Sequence, residues 1–173
     1  MGLWRREDEL FQSLPRDRQA NLEIVAGAYK SVTGDKAYLS MPITTGRRLY
    51  DLLDLYEVKT VAELEQKMPG ALREEVILPN IAEAEAFAQK VDKTSYSLVV
   101  PGIFEGRKQR WTQDEYMILW LRLITSQVKE LWLLDGWEYS SGGAMEYVRG
   151  IMIQMRFEDE REDRLPVLDH TGR

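Results

Sequence analysis

Residues 130–147 read ELWLLDGWEYSSGGAMEY. Glu130 to Leu134 read as a short, mostly apolar strand, and Asp135-Gly136 ends it. From Ala144 the text becomes AMEYVRGIMIQM, in which Val148, Ile151, Met152 and Met155 recur at helical spacing and are expected to contact a core. A strand that runs through a short loop into a helix is half of a β-α-β unit. The fold class depends on whether the chain repeats it.

It does. Upstream, KAYLSMP places a strand over Ala37 to Met41, stopped by Pro42, and YSLVVP at 96–101 is a second. Before the first strand, RDRQANLEIVAGAYKSV carries Leu22, Val25, Ala26 and Tyr29 at helical spacing, with Gly34 as a stop. Between the first two strands lies IAEAEAFAQKV, with Asn80 as its expected N-cap answered by Glu83, and Ala84, Phe87, Ala88 and Val91 as its buried stripe. Thr112 to Glu115 is a capping box that opens the helix QDEYMILWLRLITSQV, which carries Tyr116, Leu119, Trp120, Leu123 and Ile124 on one side.

Strands alternating with helices at this spacing predict an α/β fold with parallel strands. The expected architecture is a single-domain Rossmann-like or flavodoxin-like sandwich, 1–173, with a parallel sheet of four or five strands. Ala37 to Met41 and Glu130 to Leu134 are its expected inner neighbours. Residues 1–34 read as an N-terminal helical extension. Residues 49–75 read as a helical insertion, where Thr60-Val-Ala-Glu63 forms a capping box and Pro69-Gly70 a stop. RFEDEREDR at 156–164 reads as a solvated connection, and LPVL at 165–168 as a last short strand.

The bulk properties limit the functions. A chain of 173 residues, 44% hydrophobic and 30% charged, has the composition of one soluble globular domain. A net charge of −6 argues against binding duplex nucleic acid, which rests on clustered Lys and Arg. A small-molecule ligand is the expectation. The absence of Cys excludes disulfides, thiolate catalysis and Cys metal ligands, and the lone His170 near the C-terminus makes a His-rich metal site or a Ser-His-Asp triad a weak idea. No metal and no cofactor are expected. The opening MGLWRREDELFQ lacks a signal-peptide apolar region, and no apolar run approaches the length of a membrane span, so the expected location is the cytoplasm with no membrane partner.

Ligands of open parallel sheets bind beyond the carboxyl ends of the strands, so the loops there are the candidate site. After the first strand comes PITTGRR, in which Ile43, Thr44, Gly46 and Arg47 suit an anion such as phosphate. After the second comes GIFEGRKQRW, basic and aromatic, read as a lid or a solvated loop. After the third, a cap at Ser141 or a neighbour leaves Gly142 and Gly143 at the start of a helix, with free N–H groups and no side chains to hold a ligand away. Glu146 follows in the first turns, where the positive helix end favours its ionised form. Its simpler role is to complement the helix dipole.

AYLSMPITTGRR followed far downstream by SSGGAMEY resembles the nucleoside 2-deoxyribosyltransferase superfamily, which includes deoxynucleoside 5′-monophosphate N-hydrolases and cytidine monophosphate hydrolases. Ser140-x-Gly142-x-x-x-Glu146 is similar in spacing to the turn and catalytic Glu of the monophosphate N-hydrolases, and Ile43-Thr44-Thr45-Gly46-Arg47 to their phosphate-side loop. The match covers these two motifs, their order and the strand pattern between them. In place of the transferases' Asp-Ser-Gly-Thr turn this chain has Ser140, Ser141, Gly142 and Gly143, so the Asp that helps hold the sugar is missing.

The resemblance implies cleavage of an N-glycosidic bond in a nucleoside or nucleoside 5′-monophosphate, by hydrolysis or by base exchange. Such a reaction passes through an oxocarbenium-like transition state and needs a carboxylate at C1′ and a proton donor for the base. Glu146 is then the nucleophile, and Asp114 or Glu115 the second acid. Arg47, Ser140, Ser141 and the Gly142 and Gly143 amides hold a 5′-phosphate, while Tyr38 and Trp137 contact sugar or stack on base, unless they simply pack. The resemblance also implies a homodimer or larger homo-oligomer with sites completed across subunits, with the helix face of Trp120 as a contact surface. Two other readings stay open: a non-catalytic nucleotide-binding or sensor module in which Glu146 only hydrogen-bonds a ribose, and a structural or interaction protein that uses the helical insertion as its contact face.

Overall fold

The computed structural model describes residues 2–90, 96–104 and 111–159. Strands β1 (Lys36–Ser40), β2 (Ser97–Val99), β3 (Glu130–Leu133) and β4 (Arg156–Asp159) form one sheet in the order β2-β1-β3-β4, and every pair is parallel. Tyr38 lies beside Val99 on one side and Leu131 on the other. Every residue of β1 and β3 is buried, the condition for the continuous apolar runs that announced them. The chain is α/β, of the flavodoxin-like class, and its strand order reverses between β1 and β3.

Successive side chains of a strand point to opposite faces. On one face Tyr38, Leu131 and Leu133 pack with Phe11, Leu22, Leu119, Trp120, Leu123 and Ile124. These come from α1 (Gly2–Ser13), α2 (Arg16–Ser31) and α6 (Gln113–Gln127), beside which lies α7 (Ser141–Met152). On the other face Ala37, Leu39 and Trp132 meet Ile81, Ala84 and Phe87 of α5 (Leu78–Lys90). Tyr38, Leu39, Leu131 and Leu133 are at most 1% exposed, and each such side chain is worth about 1.5–3 kcal/mol of burial. Between β1 and α5 the chain builds α3 (Arg47–Leu55), α4 (Val61–Lys67) and a π-helical turn at Leu72–Ile77, which share a small core of Leu49, Leu52, Leu53, Leu64 and Val76.

Several local expectations change in this context. The N-terminal extension is two helices rather than one, broken at Pro15. Thr60 caps α4 by accepting from Glu63 N, but the Glu63 carboxylate accepts from Lys59 N instead of closing the box. Asn80 does not cap: α5 starts at Leu78, and Glu83 pairs with Arg48 at 2.7 Å. The box at Thr112 and Glu115 forms in both directions.

The first four residues of the charge run are not a solvated connection. They are β4, in which Phe157 turns inward against Tyr147 and Gly150. On α7, Met155 beyond its end is buried as expected and Ile151 half-buried, but Val148 and Met152 are 42% and 43% exposed. The core-facing stripe of that helix is Gly143, Glu146, Arg149 and Gly150. Trp120 is 4% exposed and sits in the core, so it offers no contact surface. Val91, the 105–110 part of the basic loop, the LPVL strand and His170 lie outside the described residues. Among the described residues no helix is long and apolar enough to cross a membrane.

Candidate functional site

The reversal of strand order leaves a crevice beyond the carboxyl ends of β1 and β3. A cleft of about 340 Å³ opens there. One wall is the segment after β1, with Met41, Ile43, Thr44 and Thr45, and another is the start of α7, from Ser140 to Gly143. The third is a stripe of α6, Gln113, Tyr116, Met117 and Trp120, whose spacing of three, four and seven puts them on one helix face. Glu146 completes the lining from the second turn of α7.

The loop after β3 is shaped to start α7 against the core. Gly136 takes a left-handed φ of +81° before a short 3-10 turn at Trp137–Tyr139. Ser140 is the N-cap, and its hydroxyl accepts from Gly143 N at 3.4 Å. Gly143 has no alternative, since a Cβ there would lie 2.6 Å from the Trp137 carbonyl oxygen. Gly142 is different: a Cβ would meet only Met117 Sδ at 3.5 Å and Ser140 Oγ at 3.6 Å. The first-turn N–H groups of Ser141 and Gly142 have no acceptor within the helix, and both residues line the cleft.

Glu146 is 5% exposed, and both its oxygens are held. Tyr38 Oη donates to Oε1 at 2.6 Å and Ser40 Oγ donates to Oε2 at 2.6 Å. Tyr38 and Ser40 stand two apart on β1, on the face that α7 crosses. Burial pushes the Glu146 carboxyl up to about 7, against the smaller lowering by the Ser40 and Tyr38 hydroxyls. The expectation that the helix end favours its ionised form meets a larger opposing effect, because desolvation outweighs what favours the charge. Burial likewise pushes the Tyr38 phenol well above its ordinary value, and the neighbouring Glu146 adds to this. Tyr38 thus remains a hydrogen-bond donor across the working pH range.

A buried carboxyl raised in this way works against folding once it ionises. The native state retains the proton up to about pH 7 whereas the unfolded chain loses it near 4.5, so stability falls as pH rises through that window. Glu146→Gln, which has no charge to bury, is expected to be more stable than the parent at pH 8 by roughly 2–4 kcal/mol and close to it at pH 4. Thermal melts of both proteins across this range check the sign. A Gln variant less stable than the parent at pH 8 would contradict the burial argument.

The remaining expected site residues separate into those in the cleft and those outside it. Ile43, Thr44, Ser140, Ser141, Gly142 and Gly143 line it. Asp114 and Glu115 do not, because they lie off the α6 stripe that faces it. Asp114 borders a second, apolar groove with Met145, Val148 and Met152, and Glu115 is 3% exposed, accepting from Thr112 N at 2.6 Å with Arg18 at 3.5 Å. Arg47 is exposed at the start of α3, its guanidinium over the Tyr139 ring at 5.6 Å. Gly46 has a φ of +90° and would place a Cβ 2.7 Å from Pro42 Cβ, so it serves a tight turn. Trp137 packs on Tyr147 with ring centroids 4.5 Å apart. Tyr38 is fully buried and reaches the cleft only through Glu146.

Ser40 was not among the expected site residues. Its signal was available, as a hydroxyl two residues from Tyr38 at the end of a strand shares that residue's face. Among the described residues no three His, Asp or Glu side chains are grouped to hold a metal ion. Comparison with protein-family models, with curated proteins and with solved structures finds no match to this chain.

Proposed function

We propose that this chain cleaves the N-glycosidic bond of a nucleoside or nucleoside 5′-monophosphate, the activity implied by its resemblance to the nucleoside 2-deoxyribosyltransferase superfamily. The observation that carries the reading is Glu146, buried at the floor of a cleft at the strand switch point with each oxygen fixed by a hydroxyl. A carboxylate accepts at more sites than these two bonds occupy, so a lone pair remains for C1′.

In this mechanism ionised Glu146 attacks C1′. The C1′–N bond breaks, its electron pair leaves with the base, and the base nitrogen takes a proton from solvent in the open cleft. Water, or a second base, then attacks C1′ and releases Glu146 as carboxylate, with the incoming nucleophile's proton passing to solvent. Tyr38 and Ser40 hold the carboxylate in one orientation throughout, which is where positioning lowers the barrier. The hydroxyls of Thr44, Thr45, Ser140 and Ser141, with the amides at the start of α7, receive the sugar and any 5′-phosphate. Arg47, directed to Tyr139, has no part in this.

The decisive experiment incubates the protein with a panel of ribo- and deoxyribonucleosides and their 5′-monophosphates and follows free base by chromatography. Release of one base class above the spontaneous rate supports the proposal, and none with any member removes it. The same proposal includes work in the cytoplasm as a dimer or larger homo-oligomer. Its contact surface is the apolar groove between α6 and α7, where Met145, Val148 and Met152 are exposed. A monomer by sedimentation would remove that part.

A second reading is a nucleotide-binding or sensor module. It is favoured by burial raising the carboxyl to about 7, which works against a nucleophile kept ionised, and by Glu146 being the only acidic side chain among the described residues that line the cleft. Saturable binding of a panel member, with no base released, selects it.

A further inference from the structure

The cleft wall after β1 has no strand or helix of its own. Ser40 ends the strand, Arg47 begins α3, and Ile43, Thr44 and Thr45 between them line the cleft. What fixes this segment comes from elsewhere. Asn80, 4% exposed on α5, donates from its single Nδ2 to Ile43 O at 3.1 Å and to Thr45 O at 3.2 Å. Both partners are carbonyl oxygens, so the chemistry itself requires nitrogen rather than oxygen on that side of the amide. The two carbonyls flank Thr44, which is exposed and whose backbone lies between the two arms of this fork.

The chain takes an uncommon route to place that amide. Pro79, one residue earlier, has no N–H to give to the turn before it. The preceding residues Leu72–Ile77 are wound as a π-helix, in which Leu78 N donates to Arg73 O five positions back. A π turn inside a helix is rare and concentrates at functional positions. Here it buries Val76 and Ile77 and leads directly into α5, whose Asn80 reaches the loop, so the helical insertion acts as a bracket for one wall of the cleft.

We infer that Asn80 is a positioning residue that sets ligand affinity by holding Ile43-Thr44-Thr45 in the binding conformation. The inference about the loop stands on the hydrogen bonds alone, while its effect on substrate rests on the proposed N-glycosidase reading. Asn80 touches neither Glu146 nor its two hydroxyl partners by any hydrogen bond in the structure, so the group attacking C1′ keeps its place when the fork is lost.

Asn80→Asp keeps the shape but turns a two-hydrogen donor into an acceptor facing two carbonyl oxygens, and Asn80→Ala removes the group. Limited trypsin digestion reads the loop directly, since Arg47 and Arg48 follow it. Both variants are expected to be cut there about 10-fold faster or more than the parent, in the range two lost hydrogen bonds allow, with other tryptic sites unchanged. On whichever panel compound is turned over, KM is expected to rise about 10-fold with kcat within about 2-fold. Unchanged cleavage at Arg47 and Arg48, or cleavage raised equally at every site, overturns the inference. So does a loss confined to kcat. If no compound is turned over by the parent, the N-glycosidase reading has failed, and the digestion still decides whether Asn80 holds the loop.

Discussion

Glu146→Gln is expected to abolish base release, lowering kcat by roughly three orders of magnitude or more, while a productive nucleoside or nucleotide still binds within a few-fold. The glutamine has the same shape, and its amide oxygen and nitrogen still reach the Tyr38 and Ser40 hydroxyls, now with one bond accepted and the other donated. Only the nucleophile is lost. Glu146→Ala loses the rate equally, and a small anion such as azide, entering the vacated space, restores part of it by attacking C1′ in the carboxylate's place. Near-normal turnover in Glu146→Gln removes the retaining mechanism. Because the carboxyl of the free protein sits near 7, parent kcat/KM should rise with pH through that value as the ionised fraction grows, the opposite trend to the stability of the fold.

Gly143→Ala is expected to cost about 2–3 kcal/mol and to lower Tm by about 5–10 °C. Its Cβ would lie 2.6 Å from the Trp137 carbonyl oxygen, and that neighbour is backbone rather than a flexible side chain end. The start of α7 must retreat from the 3-10 turn, which weakens the Ser140 cap and shifts the wall above Glu146. Gly142→Ala is the control. Its Cβ falls in ordinary contact with Met117 Sδ and Ser140 Oγ, and alanine suits a helix better than glycine, so Tm should be unchanged or slightly higher. Ligand affinity should fall nonetheless, because the new methyl occupies the cleft. Equal melting of both variants would mean that the tight approach at Gly143 is not what fixes the turn.

The two glycines show how far a sequence can be read. Side by side they signal a special backbone at the head of a helix, and that much is local. Which of them is required by packing and which leaves space is decided by Trp137, brought back by a 3-10 turn.

The α/β class, the parallel sheet and the central pairing of β1 with β3 were legible because they follow from periodicity and length. Four or five apolar residues between helices have little choice but to be a buried strand. The order of the loops on one edge of the sheet followed too, and with it the neighbourhood of Glu146. What the tertiary structure alone decided was the facing of side chains between elements. The α6 stripe toward the cleft runs through Gln113, Tyr116, Met117 and Trp120, which leaves Asp114 and Glu115 outside, although capping chemistry placed Glu115 correctly in its box. Asn80 has the residue type and position of a cap, but the helix already runs through it from the π turn before it, and its amide goes to the loop instead.

β4 hid in a run of charges because its one apolar residue, Phe157, gives no periodic signal, and only its contact with Tyr147 shows which way it faces. The ionisation of Glu146 depends most on the packed structure. Its position in a helix argues for the charged form through a field that fades within a turn, whereas its burial against β1 argues for the neutral one, and desolvation is the larger energy. A sequence states which groups lie near a helix end, but only the packed chain states how much water they keep.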